Sequence, residues 1–123
     1  MTIDEAYVKM GGDLADFKSR IPIERLQSKF LLMFLNDPSF SELQASFGKD
    51  EATAFRAAHT LKGASLNLGL KKLGTSASAL TEALRPGNTP VPFSQQQVMY
   101  NQICADYKLT CDTINEFKAS NGL

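Results

Sequence analysis

Glycines, prolines and helix-capping side chains constrain this chain most: they cut its 123 residues into helix-length segments. Thr2 and Glu5 have the spacing of a capping box, and Gly11-Gly12 ends the short helix it opens. Asp13 caps a second short segment, Leu14 to about Arg20. Pro22 suits the first position of a helix that runs to about Asn36. Asp37-Pro38 repeats the cap-then-proline signal, and Gly48 closes the segment it opens. Asp50 caps a helix to about Leu68, with Gly69 as its stop, and the next helix covers Leu70 to Leu84. Between Arg85 and Phe93, three prolines and a glycine forbid regular structure. Ser94 with Gln97 reads as a further capping box, from which the last helix runs to about Ala119.

No segment sustains the apolar–polar alternation of a strand, and apolar residues recur instead at helical spacing. The predicted fold is all-α: one domain over residues 1–123, an antiparallel four-helix bundle with short N-terminal cap helices. Expected core stripes are Ile23, Leu26, Phe30, Met33 and Phe34; then Phe55, Ala58, Leu61, Ser65 and Leu68; then Leu73, Ala77, Leu80 and Leu84; and last Val98, Ile103, Tyr107, Thr110, Ile114 and Phe117.

Lys+Arg and Asp+Glu number 13 each, a balance that argues against general affinity for nucleic acid or an anionic membrane. The most apolar run, Phe30 to Leu35, is far too short to span a bilayer, and Met1 to Glu5 lacks the charge-then-apolar order of a signal peptide. Cys104 and Cys111 sit on one helix about 10 Å apart, too far for a disulfide, which suits reduced thiols in the cytoplasm.

The one histidine, His59, stands in the stretch His59-Thr-Leu-Lys62-Gly63. At about 100° per residue the core stripe of this helix centres near Ala58, so His59, Lys62, Gly63 and Leu66 form a second strip on its flank. An imidazole nitrogen is a good nucleophile near neutral pH. Lys62, at i+3, is within reach of an anion attached to the ring. Gly63, at i+4, costs the helix about 1 kcal/mol relative to alanine, and either access to the ring or close helix packing would offset that cost. The stretch is not a P-loop, since Leu68 stands where the second glycine should be, and one histidine with two distant cysteines makes no zinc site.

His59-x-x-Lys62-Gly63 followed by Gly69 resembles the signature of histidine-containing phosphotransfer (HPt) domains, with small residues at Ala64 and Ser65. Gly11-Gly12-Asp13, the Lys49-Asp50 turn before Phe55-Arg56-Ala57-Ala58 and the two-helix return extend the likeness over nearly the whole chain. The resemblance implies that His59 accepts a phosphoryl group, on Nε2, from a receiver aspartate or a histidine kinase, a hybrid kinase being the expected type, and passes it to a response regulator. By the same resemblance Lys62, and more weakly Arg85, would neutralise the phosphoryl oxygens, Gly63 would leave room for the partner and Gly69 would shape the helix end. Magnesium would come with the receiver, the chain itself needing no cofactor. HPt domains often carry Gln or Glu 22 residues after the histidine to orient the imidazole; here that position is Thr81, with Glu82 beside it. The absence of Glu there leans toward a freestanding phosphorelay shuttle rather than a chemotaxis-kinase domain, and a shuttle is expected to be a monomer and a phosphoryl carrier rather than a self-sufficient enzyme.

Leu66 is the expected partner-docking residue on the histidine strip, joined by some of Leu31, Leu32 and Leu35, because Phe30 to Leu35 is apolar around too much of its helix to be all core. Two other readings compete: an adaptor bundle that binds receivers or other signalling proteins without carrying phosphate, and a haem or ligand-binding bundle, which would need His59 to point inward.

Overall fold

The computed structural model describes residues 1–123 and contains helices and no strands. The helices are α1 (Ile3–Met10), α2 (Leu14–Arg20), α3 (Glu24–Met33), α4 (Ser39–Ser46), α5 (Glu51–Asn67), α6 (Lys71–Leu84) and α7 (Phe93–Ser120), with a 3-10 turn at Phe34–Asn36. Most boundaries follow the local chemistry. Thr2 and Glu5 close a reciprocal capping box at the start of α1. The Asp13 carboxylate accepts from the Asp16 N–H, and the Asp50 carboxylate from the Thr53 N–H. These bonds satisfy donors that the first turn of a helix leaves unpaired.

Three expected boundaries move. The third helix starts at Glu24 rather than Pro22 and ends at Met33, where the chain tightens into the 3-10 turn. The residue after that turn, Asp37, must be extended because Pro38 follows it, and Asp37 then accepts from the Ser39 N–H to start α4. The last helix starts one residue before Ser94, so the Ser94 capping box does not form. There Phe93 stacks on Phe47, with ring centroids 5.4 Å apart, while the Gln95 and Gln96 N–H groups bond the Pro92 carbonyl.

Helix α5 packs against α4 and α6, α6 packs against α7, and α1 lies along α7. One buried cluster runs through the molecule from Ile3 to Phe117. The α6 stripe of Leu73, Ala77, Leu80 and Leu84 is buried as expected, as are Ala58, Leu61 and Ser65 of α5 and Ile103, Thr110, Ile114 and Phe117 of α7. The α3 stripe is rotated. Ile23 and Met33 are 53% and 54% exposed and Leu26 and Phe30 are half-buried, whereas Leu31 and the polar Gln27 are buried; Phe34, in the 3-10 turn, is buried as expected. Apolar residues occur all round α3, so its own pattern cannot set its phase; Gln27 is tolerated inside because its amide donates to the Ile21 carbonyl at 2.8 Å. On α7, Val98 is 68% exposed, because it faces away from the α6 contact that buries Ile103.

The N-terminal helices are tied to the end of α5. The Tyr7 hydroxyl donates to the Leu68 carbonyl at 2.7 Å, and the Asp13 N–H donates to the Gly69 carbonyl at 2.7 Å. Burial pushes the Tyr7 hydroxyl pKa up, so it stays protonated as that bond requires. Gly69 has φ +68°, and a Cβ there would collide with the Asp13 carbonyl oxygen and crowd Phe17. Replacement of Gly69 by Ala should therefore cost about 2–4 kcal/mol, the sum of left-handed strain and the displacement of α2. Urea unfolding measures it; Gly87→Ala, also at positive φ but in open space, should cost less.

Candidate functional site

Helix α5 buries Ala54, Ala57, Ala58, Leu61 and Ser65, and this fixes its rotation about its own axis. His59 follows Ala58 by one residue and is exposed, as the helical phase requires. Lys62 is half-buried beside it and Gly63 is exposed one turn further on. Helical side chains lean toward the N-terminus, so any side chain at position 63 would reach back over the His59 ring. Nothing lies within 4 Å of the place a Cβ on Gly63 would occupy. Close helix packing is thereby excluded as the reason for this glycine, and open space above the imidazole is what it provides.

Helix α6 runs antiparallel to α5 on the Lys62 side. Phe55 meets Arg85 near one end of the pair, and Leu66 meets Gly74 nearer the other. A Cβ on Gly74 would collide with the Leu66 side chain, so Leu66 is seated on that glycine while 38% of it stays exposed. The Arg85 guanidinium lies 5.2 Å from the centre of the Phe55 ring. It also holds the Glu82 carboxylate, with Nη2–Oε1 at 2.9 Å and Nε–Oε2 at 3.0 Å. These bonds, with a smaller contribution from Lys62, hold the Glu82 carboxyl below the usual range. The Phe55 ring in turn stacks on His59, centroids 6.0 Å apart and planes 29° apart.

The structure therefore brings His59, Lys62, Gly63, Leu66 and Arg85 onto one side of the α5–α6 pair. It does not bring Thr81 there. Thr81 is fully buried, and its hydroxyl donates to the Ala77 carbonyl at 2.8 Å, so the expectation that it orients the imidazole fails. A threonine in mid-helix finds a partner in its own preceding turn and is too short to reach out of the core. Leu31 is also corrected: it is fully buried and no docking residue, whereas Leu32 and Leu35 are half-buried. Phe55, in the expected core stripe, is only half-buried; its place four residues before His59 is the signal that pairs the two rings. On the other flank of α5, from Ala64 and Asn67, an open groove of about 720 Å³ runs past Phe17, Phe30, Met33 and Phe34. An axial-ligand role would need an inward imidazole, and His59 is exposed.

Fold and site thus define a small all-helical protein that presents a single accessible imidazole, with a lysine and an open glycine next to it. The Hpt domain family model matches residues 23–114, and the chain belongs to that family. Hpt domains carry out histidine phosphotransfer in phosphorelay signalling, with receiver domains and kinases as partners. No curated protein and no solved structure is significantly similar to the chain. No helix is long and apolar enough to cross a membrane.

Since Gly63 packs against nothing, its replacement by Ala should raise stability by about 0.5–1 kcal/mol through helix propensity alone, read from urea or thermal unfolding.

Proposed function

We propose that this protein is a phosphoryl carrier of a two-component phosphorelay, with His59 as the acceptor. The observation that supports this reading most is the open space above the one exposed imidazole: a destabilising glycine kept in mid-helix where no part of the fold needs it. In the proposed step the lone pair of one imidazole nitrogen attacks the phosphorus of a receiver's aspartyl phosphate. The phosphorus–oxygen bond breaks, the aspartate leaves as a carboxylate, and a phosphorus–nitrogen bond forms. The proton on the other ring nitrogen stays in place. Lys62 lies where its ammonium offsets the charge of the phosphoryl oxygens, and such preorganised charge stabilises the developing negative charge. Arg85 is a weaker candidate for the same role, since Glu82 already holds its guanidinium.

The proposal includes the finer architecture: α3, α5, α6 and α7 as an antiparallel four-helix bundle, with the short N-terminal helices α1 and α2 as the cap of a single domain over residues 1–123. Leu66, half on Gly74 and half in solvent, is the proposed apolar contact for the partner. A monomer keeps His59 open to successive partners, and the free thiols of Cys104 and Cys111 suit the cytoplasm.

Incubation with a panel of aspartyl-phosphorylated receiver domains tests the reading. Acid-labile label should appear on the wild type and be absent from His59→Ala. Label on both variants would place the acceptor elsewhere, and label on neither, with folding confirmed, would favour an adaptor that binds without carrying phosphate. A second test uses Gly63→Gln, whose side chain leans over the ring. Transfer from a receiver should fall by about ten-fold or more, while a small phosphodonor such as phosphoramidate labels the variant at close to the wild-type rate.

A further inference from the structure

An exposed imidazole on a helix rotates broadly about its terminal torsion. In-line transfer, by contrast, needs one ring nitrogen aimed at phosphorus. Something must narrow that rotation, and the hydroxyl at position 81 does not, because it is buried and donates to Ala77.

The contact that His59 does make is aromatic. Its side chain leans back over the turn that carries Phe55, and the two rings stack at 6.0 Å. That distance falls within the roughly 4.5–7 Å range of attractive aromatic pairs. Phe55 is half-buried, and its ring is held in turn by the Arg85 guanidinium at 5.2 Å. Arg85 donates three hydrogen bonds to the Glu82 carboxylate, and the Asn88 side-chain amide donates to the Glu82 carbonyl at 3.1 Å. A series of contacts therefore leads from the start of the proline loop to the imidazole. Stacking acts on the face of a ring, whereas both imidazole nitrogens lie on its edge. The plane is thus restrained while either nitrogen stays free for phosphorus, which a hydrogen bond to one of them would not allow.

We propose that Phe55, anchored by Arg85, is the positioning residue for His59: its ring sets the imidazole plane for phosphoryl transfer. The proposal rests on the reading of His59 as phosphoryl acceptor. The role is separable from packing, because Leu at position 55 retains apolar bulk and Tyr retains the ring.

The test compares wild type, Phe55→Leu and Phe55→Tyr by two readouts, with thermal melting to confirm the fold. The first is NMR of the imidazole C–H groups, which are unambiguous because the chain has one histidine. The wild type and Phe55→Tyr should show ring-current displacement of these signals, and Phe55→Leu should lose it. The second is single-turnover transfer from a phosphorylated receiver at increasing concentration. Phe55→Leu should lower the saturating rate by about ten-fold with the half-saturating concentration kept within about two-fold, and Phe55→Tyr should restore the rate. Imidazole signals unchanged in Phe55→Leu, or an unchanged saturating rate, would overturn the proposal. A rise in half-saturation alone would make Phe55 a docking contact instead and also overturn it. If the wild type accepts no phosphoryl group, the acceptor reading fails, and the imidazole signals still decide whether Phe55 holds the ring.

Discussion

The small-residue face of α5 sets the geometry of this protein. Ala54, Ala57, Ala58 and Ser65 let α4 and α6 approach the helix closely, and Leu61 fills the space among them. Close packing of that kind leaves the helix little freedom to rotate. With Ala54, Ala57, Ala58, Leu61 and Ser65 all turned inward, position 59 stands about 140° from their mean direction, and His59 is exposed there. Loss of that register would turn the imidazole inward or away from Arg85 beyond α6.

Around this fixed helix each glycine has a different function. Gly69 is held at positive φ against the Asp13 backbone and joins the N-terminal helices to the end of α5. Gly74 is a seat for Leu66. Gly63 touches nothing, so the fold gains nothing from it and loses helix propensity. The first two are explained by packing within the molecule, whereas the third has no packing neighbour, and the proposed docking of a partner over His59 would use that open space. This contrast supports the proposal that the histidine strip is a surface for a partner.

The electrostatics of the strip are local. Glu82 holds Arg85, and Lys62 stands close enough to Glu82 to help keep its carboxylate charged. A phosphoryl group on His59 would bring negative charge beside one free cation, Lys62, and one already paired, Arg85. The paired arginine still serves the site through Phe55, because a guanidinium held in place by a carboxylate gives the aromatic ring a fixed neighbour. The groove past Phe17 and Phe34, which Arg20 and Asp37 also line, lies on the opposite flank of α5 from this cluster.

The sequence by itself determined what depends on neighbours along the chain. The caps at Thr2, Asp13 and Asp50 and the stop at Gly69 follow from hydrogen bonds and backbone preferences within a few residues, and the exposure of His59 follows from the spacing of Ala54, Ala58, Leu61 and Ser65 along α5. The tertiary structure decided the rest. It chose which face of α3 goes inward, burying Gln27 and Leu31 and exposing Ile23 and Met33, because the run from Phe30 to Leu35 is apolar on every side and only neighbouring helices can select among its residues. It also brought Arg85 to Phe55 across 30 residues of chain, a distance over which no periodicity carries information and only the antiparallel packing of two helices does.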